Sequence, residues 1–356
     1  MKYTLIILSS LLLLACNSQE GTQSEEKAKK SKQSEVSKAT SDKTNFRGDI
    51  KLQDSLMNPL NKKIREDLDN AQLYVNRAKL YQKFNDFGSA KEDLQRAYGI
   101  DSTNLAVLLA YGDHFMQRGK LSQSLDFLSK ARALYPEESV VYLKLGELFI
   151  IGKDNQKSLQ NADLAIKYDK FNAQAYYLKG FNFLEMGDTS KAISSFQTTV
   201  EQNPEHLESY LQLGMLYSEK SDPLAIAYFD NALEIKPKHK EALYGKAMFQ
   251  QEHEMYNEAM ATYHEALKYY PDFREAHYNL GYVHMYYLKL YRQATLHFTD
   301  AIEVDPNYFQ AYYNRGYSFE LLGDINNAAK DYRKALSINP NYDLAANGLS
   351  RVTEGI

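Results

Sequence analysis

Along most of this chain, small and apolar positions fall in a pattern that recurs at nearly constant spacing, clearest in NYFQAYYNRGYSFELLGDINNAAKDYRKALSINP, residues 307–340. Numbered from Phe309, Tyr312, Gly316 and Phe319 take positions 4, 8 and 11, and Ala328, Tyr332 and Ala335 take positions 20, 24 and 27. Steps of three and four residues place each trio on one face of a helix, so each window predicts two helices whose apolar stripes oppose one another. Eight windows run in phase: 71–104, 105–138, 139–172, 173–206, 207–239, 240–273, 274–308 and 309–342. Position 8 holds Gly112, Gly146, Gly180, Gly214, Gly281 and Gly316, with Ala78 and Ala247 in the other two windows, which predicts a close helix crossing. Ala90, Ala192, Ala259 and Ala328 supply the small partner at position 20. Between the helices, Gly119, Gly187 and Gly323 stand at position 15 with Asn85 in the first window, the residues that most readily adopt a left-handed cap. Pro136, Pro204, Pro237, Pro271, Pro306 and Pro340 close the second helices, because proline cannot continue one.

This arrangement resembles the tetratricopeptide repeat across eight units. The resemblance implies an all-α fold, an α-solenoid of about eight helical hairpins forming a right-handed superhelix. Each hairpin buries a face only by stacking on its neighbours, so capping segments are expected at 47–70, around NPLNKKIREDL, and at 343–356, around DLAANGLSRV. Three windows depart from the pattern. The one from Ser139 has Ser158 at position 20 and Lys170 in place of proline, so its second helix is expected to run on or pack loosely. The window from Leu207 is one residue short, with Pro223 starting its second helix, and the window from Arg274 carries one extra residue near YYLKLY.

Before the array, Lys2 precedes an apolar run from Leu5 to Ala15, about half of the roughly 20 residues a membrane-crossing helix needs. It reads as an export signal over 1–15. Its end, LLAC, resembles a bacterial lipobox, with Leu13 three positions before Cys16 and small Ala15 directly before it, while Leu14 is a mild departure. The resemblance implies cleavage before Cys16, attachment of diacylglycerol to its sulfur and, usually, acylation of its new amino group, with palmitate as an expected chain. An ordinary secretory signal that happens to contain a cysteine is the alternative. Cys16 is the one cysteine of the chain, so lipidation would leave a fold that stands on packing alone. Residues 16–46 follow as a tether rich in Ser, Lys, Glu, Thr and Gln, with a coil reach of roughly 30 Å.

Composition adds mainly exclusions. With 42 Lys+Arg against 46 Asp+Glu, the basic footprint of a nucleic-acid binder is missing. No phosphate-cradling glycine loop, Cys-x-x-Cys pair or glycine-flanked nucleophilic serine occurs, so neither an enzyme nor a bound cofactor is expected. His277 and His284 occupy positions 4 and 11, where other windows place Tyr142 and Phe149, and are read as packed side chains in preference to metal ligands.

What remains is a surface. In tetratricopeptide arrays, positions 5 and 9 line the concave side. Here they read Tyr177, Leu211, Tyr244, Tyr278 and Tyr313, and Phe181, Met215, Met248, Tyr282 and Tyr317, through the last five windows. Glu208, Glu241 and Glu275 at position 2 edge this stripe. Asn279 and Asn314, like Asn76, stand at position 6, where the family often hydrogen-bonds the backbone of a bound peptide. An apolar stripe rimmed by charge points to a groove for a peptide or helix with apolar anchors and a basic flank. Filling of the inner curve by these same side chains is the competing explanation. The expected protein is therefore a lipid-anchored scaffold of the bacterial cell envelope, placed at the outer membrane, and the alternative is a glycan- or nutrient-capturing surface lipoprotein.

Overall fold

The computed structural model describes residues 55–354, and all of its regular elements are helices. Cys16, the leader before it and the tether after it lie outside the described residues. Among the described residues no helix is long and apolar enough to cross a membrane.

The described residues form two compact units that divide between 195 and 196, within one helix, Thr189–Gln202. The first contains α1 (55–66), α2 (Ala71–Lys83), α3 (Phe87–Ile100), α4 (Leu105–Gln117), α5 (Leu121–Leu134), α6 (Ser139–Ile151), α7 (Asn155–Tyr168), α8 (Ala173–Glu185) and the start of α9 (Thr189–Gln202). The second contains the end of α9, then α10 (Leu207–Glu219), α11 (Leu224–Ile235), α12 (Lys240–Glu252), α13 (Tyr256–Tyr269), α14 (Arg274–Tyr282), α15 (Tyr291–Val304), α16 (Phe309–Leu321), α17 (Ile325–Ile338) and α18 (Asp343–Glu354).

Small residues govern how each hairpin closes. A Cβ on Gly146 would stand 2.6 Å from Leu178 Cδ2 and 3.3 Å from the Ser158 carbonyl oxygen, and one on Gly281 would stand 2.7 Å from the Phe298 ring. Ser158 does not loosen its hairpin. Its buried Oγ donates to the Gly146 carbonyl at 2.8 Å and accepts from Asn182 Nδ2 at 2.8 Å, so it acts as an alanine with one satisfied hydroxyl. Nor does α7 run on past Lys170. It ends at Tyr168, with Asp169 in an extended conformation. These two observations correct the expectation for the window from Ser139.

The turns between paired helices share one backbone solution. Gly119, Gly187, Gly323 and Asn85 have φ of 67°, 77°, 79° and 59°, the left-handed geometry their chemistry predicts. Lys153, Ser221, Glu254 and Lys289 take the same geometry at 54° to 64° without that chemistry. The extra residue of the window from Arg274 is absorbed as a π-helical turn over Val283–Tyr287, which continues α14.

Each unit is also pinned by a forked ion pair. Arg77 grips Asp93 through Nε and Nη2 at 2.7 and 2.6 Å, and Arg315 grips Asp331 at 2.7 and 2.8 Å. Both carboxylates are buried, so the bidentate geometry offsets a real desolvation cost. At the start of the described helices α1 buries Met57 and Ile64, and its Asn61 accepts from Arg77 Nη1 at 2.7 Å. At their end α18 buries Ala345 and Val352, and Arg351 forks onto Glu320 at 2.9 and 3.0 Å.

Candidate functional site

The first helices of the two units carry different side chains at positions 5 and 9. In the N-terminal unit, position 5 holds Val75 and Leu143, both buried, and Leu109, half-buried, and position 9 offers Lys79, Asp113 and Glu147. Lys144 bridges the last two, with Nζ 3.1 Å from Asp113 and 2.8 Å from Glu147. Burial raises the Glu147 carboxyl above its ordinary range against the pull of Lys144. Tyr177 and Phe181 pack edge to face at 4.8 Å and are only 8% and 3% exposed, so they serve the core of this unit and do not present a surface.

In the C-terminal unit the remaining stripe residues are all half-buried: Leu211, Met215, Tyr244, Met248, Tyr278, Tyr282, Tyr313 and Tyr317. Four-residue spacing stacks the rings within a helix. Tyr278 and Tyr282 have centroids 6.5 Å apart, and Tyr313 and Tyr317 are 6.3 Å apart with ring planes 2° from parallel. Tyr278, Tyr282 and Tyr317 pack around one core of Met285, Ala294 and Phe298, which brings the two helices' aromatic rows together.

The position 6 asparagines bind inward. Asn279 is buried, and its Nδ2 is placed to donate to the hydroxyls of Tyr263 at 3.1 Å and Tyr244 at 3.3 Å. Asn314 Nδ2 donates to the Tyr278 hydroxyl at 2.8 Å. These bonds tie each helix to a tyrosine of an earlier one, so the Nδ2 groups of both amides hold the wall together. The wall therefore divides. Tyr244 and Tyr278 are anchored through their hydroxyls, and burial, helped by Tyr308, pushes the Tyr278 phenol far above its ordinary value. Tyr282, Tyr313 and Tyr317 make no hydroxyl hydrogen bond among the described residues, which leaves three polar tips on an apolar surface.

Sequence spacing missed the extension of this surface. The π turn places Tyr286, 54% exposed, 5.4 Å from Tyr282, and Tyr287 stacks on Tyr256 at 4.3 Å. The extra residue in YYLKLY was the one available signal. Along the edge, the Glu208 and Glu241 side chains are more than half exposed, whereas Glu275 is engaged by Arg274.

One cluster of metal-ligand type also lies in this unit. His277, His297 and Asp300 bring ligand atoms within 4.8 Å of one another. Burial, reinforced by His284, His264 and His277, pushes the His297 ring down to about 4, so it is neutral near pH 7.

Family models described as Tetratricopeptide repeat match residues 71–104, 177–240 and 309–342, and one described as TPR repeat matches 254–285. Among curated proteins, the human protein O-mannosyl-transferase TMTC3 is 27% identical over 145 residues, which is 39% of this chain and 16% of that protein. Human TMTC1 is 28% identical over 205 residues, 47% of this chain and 23% of that protein. The chain thus spans less than a quarter of the length of these relatives. Among solved structures, the C-terminal part of a TPR repeat-containing protein from Cytophaga hutchinsonii superposes with a TM-score of 0.60 at 16% identity, covering 68% of this chain and 99% of that one. PilF from Pseudomonas aeruginosa gives 0.50 at 17% identity, covering 56% and 92%. At these identities the likeness concerns the fold alone.

Proposed function

From the premise that the chain belongs to the tetratricopeptide-repeat family, a fold built for protein–protein interaction, we propose that it is a membrane-anchored adaptor of the bacterial cell envelope that takes protein partners on the tyrosine face of residues 196–356. The observation that carries this reading is the contrast within positions 5 and 9. The N-terminal unit fills them with the aliphatic side chains of Val75, Leu109 and Leu143, the buried rings of Tyr177 and Phe181, exposed Lys79 and a Lys144 ion-pair network, while the C-terminal unit leaves rings half open with unbonded hydroxyls at Tyr282, Tyr313 and Tyr317. Aromatic surface of that kind binds through a few central side chains. Open carboxylates at Glu208 and Glu241 favour a partner segment with basic residues beside its apolar anchors.

The anchoring part rests on LLAC and Cys16. Two or more acyl chains hold a protein stably at a membrane, at about 0.8 kcal/mol per buried methylene. Cys16→Ser is expected to block processing and to move the chain out of the detergent-soluble membrane fraction; normal processing and unchanged retention would overturn the anchor.

For the face, Tyr282→Ser combined with Tyr317→Ser is expected to weaken partner binding by about 2 kcal/mol or more while costing about 1 kcal/mol of stability per site, since both rings are half-buried. A double variant that melts many degrees lower would assign both rings to the core. One that melts normally and keeps every partner would move the site elsewhere. The parallel Tyr313 and Tyr317 rings also favour a second reading, stacking on sugar rings, which oligosaccharide binding lost in the same double variant would support.

A further inference from the structure

Four of the eight histidines of the chain gather in the hairpin of α14 and α15 and on the adjoining α13. His277 lies on α14, His284 in the π turn that continues it, His297 on α15 and His264 on α13. The His297 ring centroid is 4.9 Å from that of His284 and 6.0 Å from that of His264. Asp300 sits three residues after His297 on the same face of α15, with Oδ2 3.7 Å from His277 Nδ1 and 3.9 Å from His297 Nδ1.

Packing explains only half of His277. At the equivalent position Tyr74, Tyr142 and Tyr176 donate their hydroxyls to the carbonyl six residues earlier, at Leu68, Pro136 and Lys170. His277 Nε2 makes the same bond to the Pro271 carbonyl at 2.8 Å. A carbonyl only accepts, so Nε2 carries the proton, and in a neutral ring Nδ1 then presents a lone pair. That Nδ1 is buried without a hydrogen-bond partner, as is His297 Nδ1, and both face a carboxylate that also only accepts. His284 is fixed by the same logic. Its Nδ1 lies 2.8 Å from the Leu280 carbonyl and must donate, which leaves Nε2 as its lone-pair atom. Lone pairs that converge on a carboxylate are satisfied by a cation between them, a proton or a metal ion, and the His277 imidazole, its far nitrogen held by a backbone carbonyl, is oriented as metal ligands are.

We propose that His277, His297 and Asp300 form a binding site for a divalent first-row transition ion of the zinc class, which cross-links the two helices of this hairpin. Two imidazole nitrogens and one carboxylate oxygen suit zinc, cobalt and nickel, and exclude the all-oxygen shell that magnesium and calcium prefer. Bonds of about 2.0–2.2 Å in tetrahedral geometry set ligand atoms about 3.4 Å apart, so the observed spacing closes by small side-chain rotations. Asp300, about half exposed, gives the ion a route in. A water would complete the shell.

The test is titration of the purified full chain, stripped with chelator, with zinc against a chromogenic competitor, and with cobalt by visible absorption. One equivalent of zinc is expected, with a raised melting temperature and a cobalt spectrum of tetrahedral intensity. His277→Tyr keeps the bond to Pro271 that other repeats use and removes Nδ1, so it should lower zinc affinity by at least about tenfold and abolish the cobalt band while leaving the metal-free melting temperature unchanged. Asp300→Asn should also lower the affinity. Absence of stoichiometric binding to the wild-type chain, or binding that both variants retain at full strength, would overturn the site. A drop in the metal-free melting temperature of His277→Tyr with unchanged zinc affinity would assign the cluster to packing alone.

Discussion

The two units use one repeat to make two kinds of face. Both close their hairpins over small residues, turn through a left-handed residue and hold a buried aspartate in an arginine fork, Arg77 on Asp93 in one and Arg315 on Asp331 in the other. Their first helices nevertheless end in different chemistry. Lys144, Asp113 and Glu147 neutralise one another at short range on the N-terminal unit, whereas the C-terminal unit spends its polar groups inward, through Asn279 and Asn314, to hold a row of tyrosines. The framework is thus independent of the face. Positions that set helix contact are constrained in both units, while positions 5, 6 and 9 are free to encode an ion-pair surface or an aromatic one.

That separation can be broken experimentally. The largest effect is expected at the shared forks. Asp93→Ala and Asp331→Ala each leave a guanidinium unpaired in a mostly buried place and should cost about 3 kcal/mol in denaturant unfolding. Similar losses in both units would support a common framework, and a loss confined to one would contradict it.

A smaller loss is expected at Lys144, which belongs to the N-terminal face alone. Lys144→Met leaves Asp113 and the partly desolvated Glu147 without their cation and should cost about 2 kcal/mol near pH 7. Because the Glu147 carboxyl is already raised by burial, the folded state holds its proton more tightly than the unfolded chain does. The penalty is therefore present above that raised value and fades as pH falls through it. Melting of the variant and the parent should converge toward pH 4, and a gap that widens on acidification would contradict this account.

The smallest effect concerns the turns and has the opposite sign. Lys153 and Glu254 hold φ of 60° and 64° where other repeats use glycine. Lys153→Gly and Glu254→Gly relieve that strain, partly offset by the entropy glycine loses on folding, and should stabilise by about 0.5 kcal/mol each. Thermal melts that show destabilisation would mean that the lysine and glutamate side chains contribute more than the backbone strain costs.

Why some of this was legible in the sequence and some was not follows from where the information sits. Helical hairpins were legible because one stripe pattern recurs in phase, and Gly119, Gly187 and Gly323 mark their turns by a backbone need that only a few residues meet. Lys153, Ser221, Glu254 and Lys289 carry no such mark, since packing of the flanking helices imposes the geometry on whatever residue stands there. The π turn was illegible in form, because an extra residue in YYLKLY can lengthen a loop as readily as a helix. At the candidate face, periodicity selected the tyrosine rows but could not tell surface from core. Tyr177 and Phe181 follow the same spacing as Tyr278 and Tyr282 and are buried. Position 6 alone suggests a ligand-facing role for Asn279 and Asn314, because their inward direction depends on phenols contributed by other helices. The histidine cluster was hidden for the same reason, as His277 meets His297 and Asp300 only when α14 and α15 pack.

Whether partners meet the aromatic face of the C-terminal unit and not positions 5 and 9 of the N-terminal unit is decided by site-specific photocrosslinking in cells. Benzoylphenylalanine is placed singly at Tyr282, Tyr317 and Leu109, the chain is irradiated, and adducts are identified by mass spectrometry. Discrete protein adducts are expected from positions 282 and 317 and none from position 109. Adducts from position 109 with none from 282 or 317 would contradict this assignment of the face.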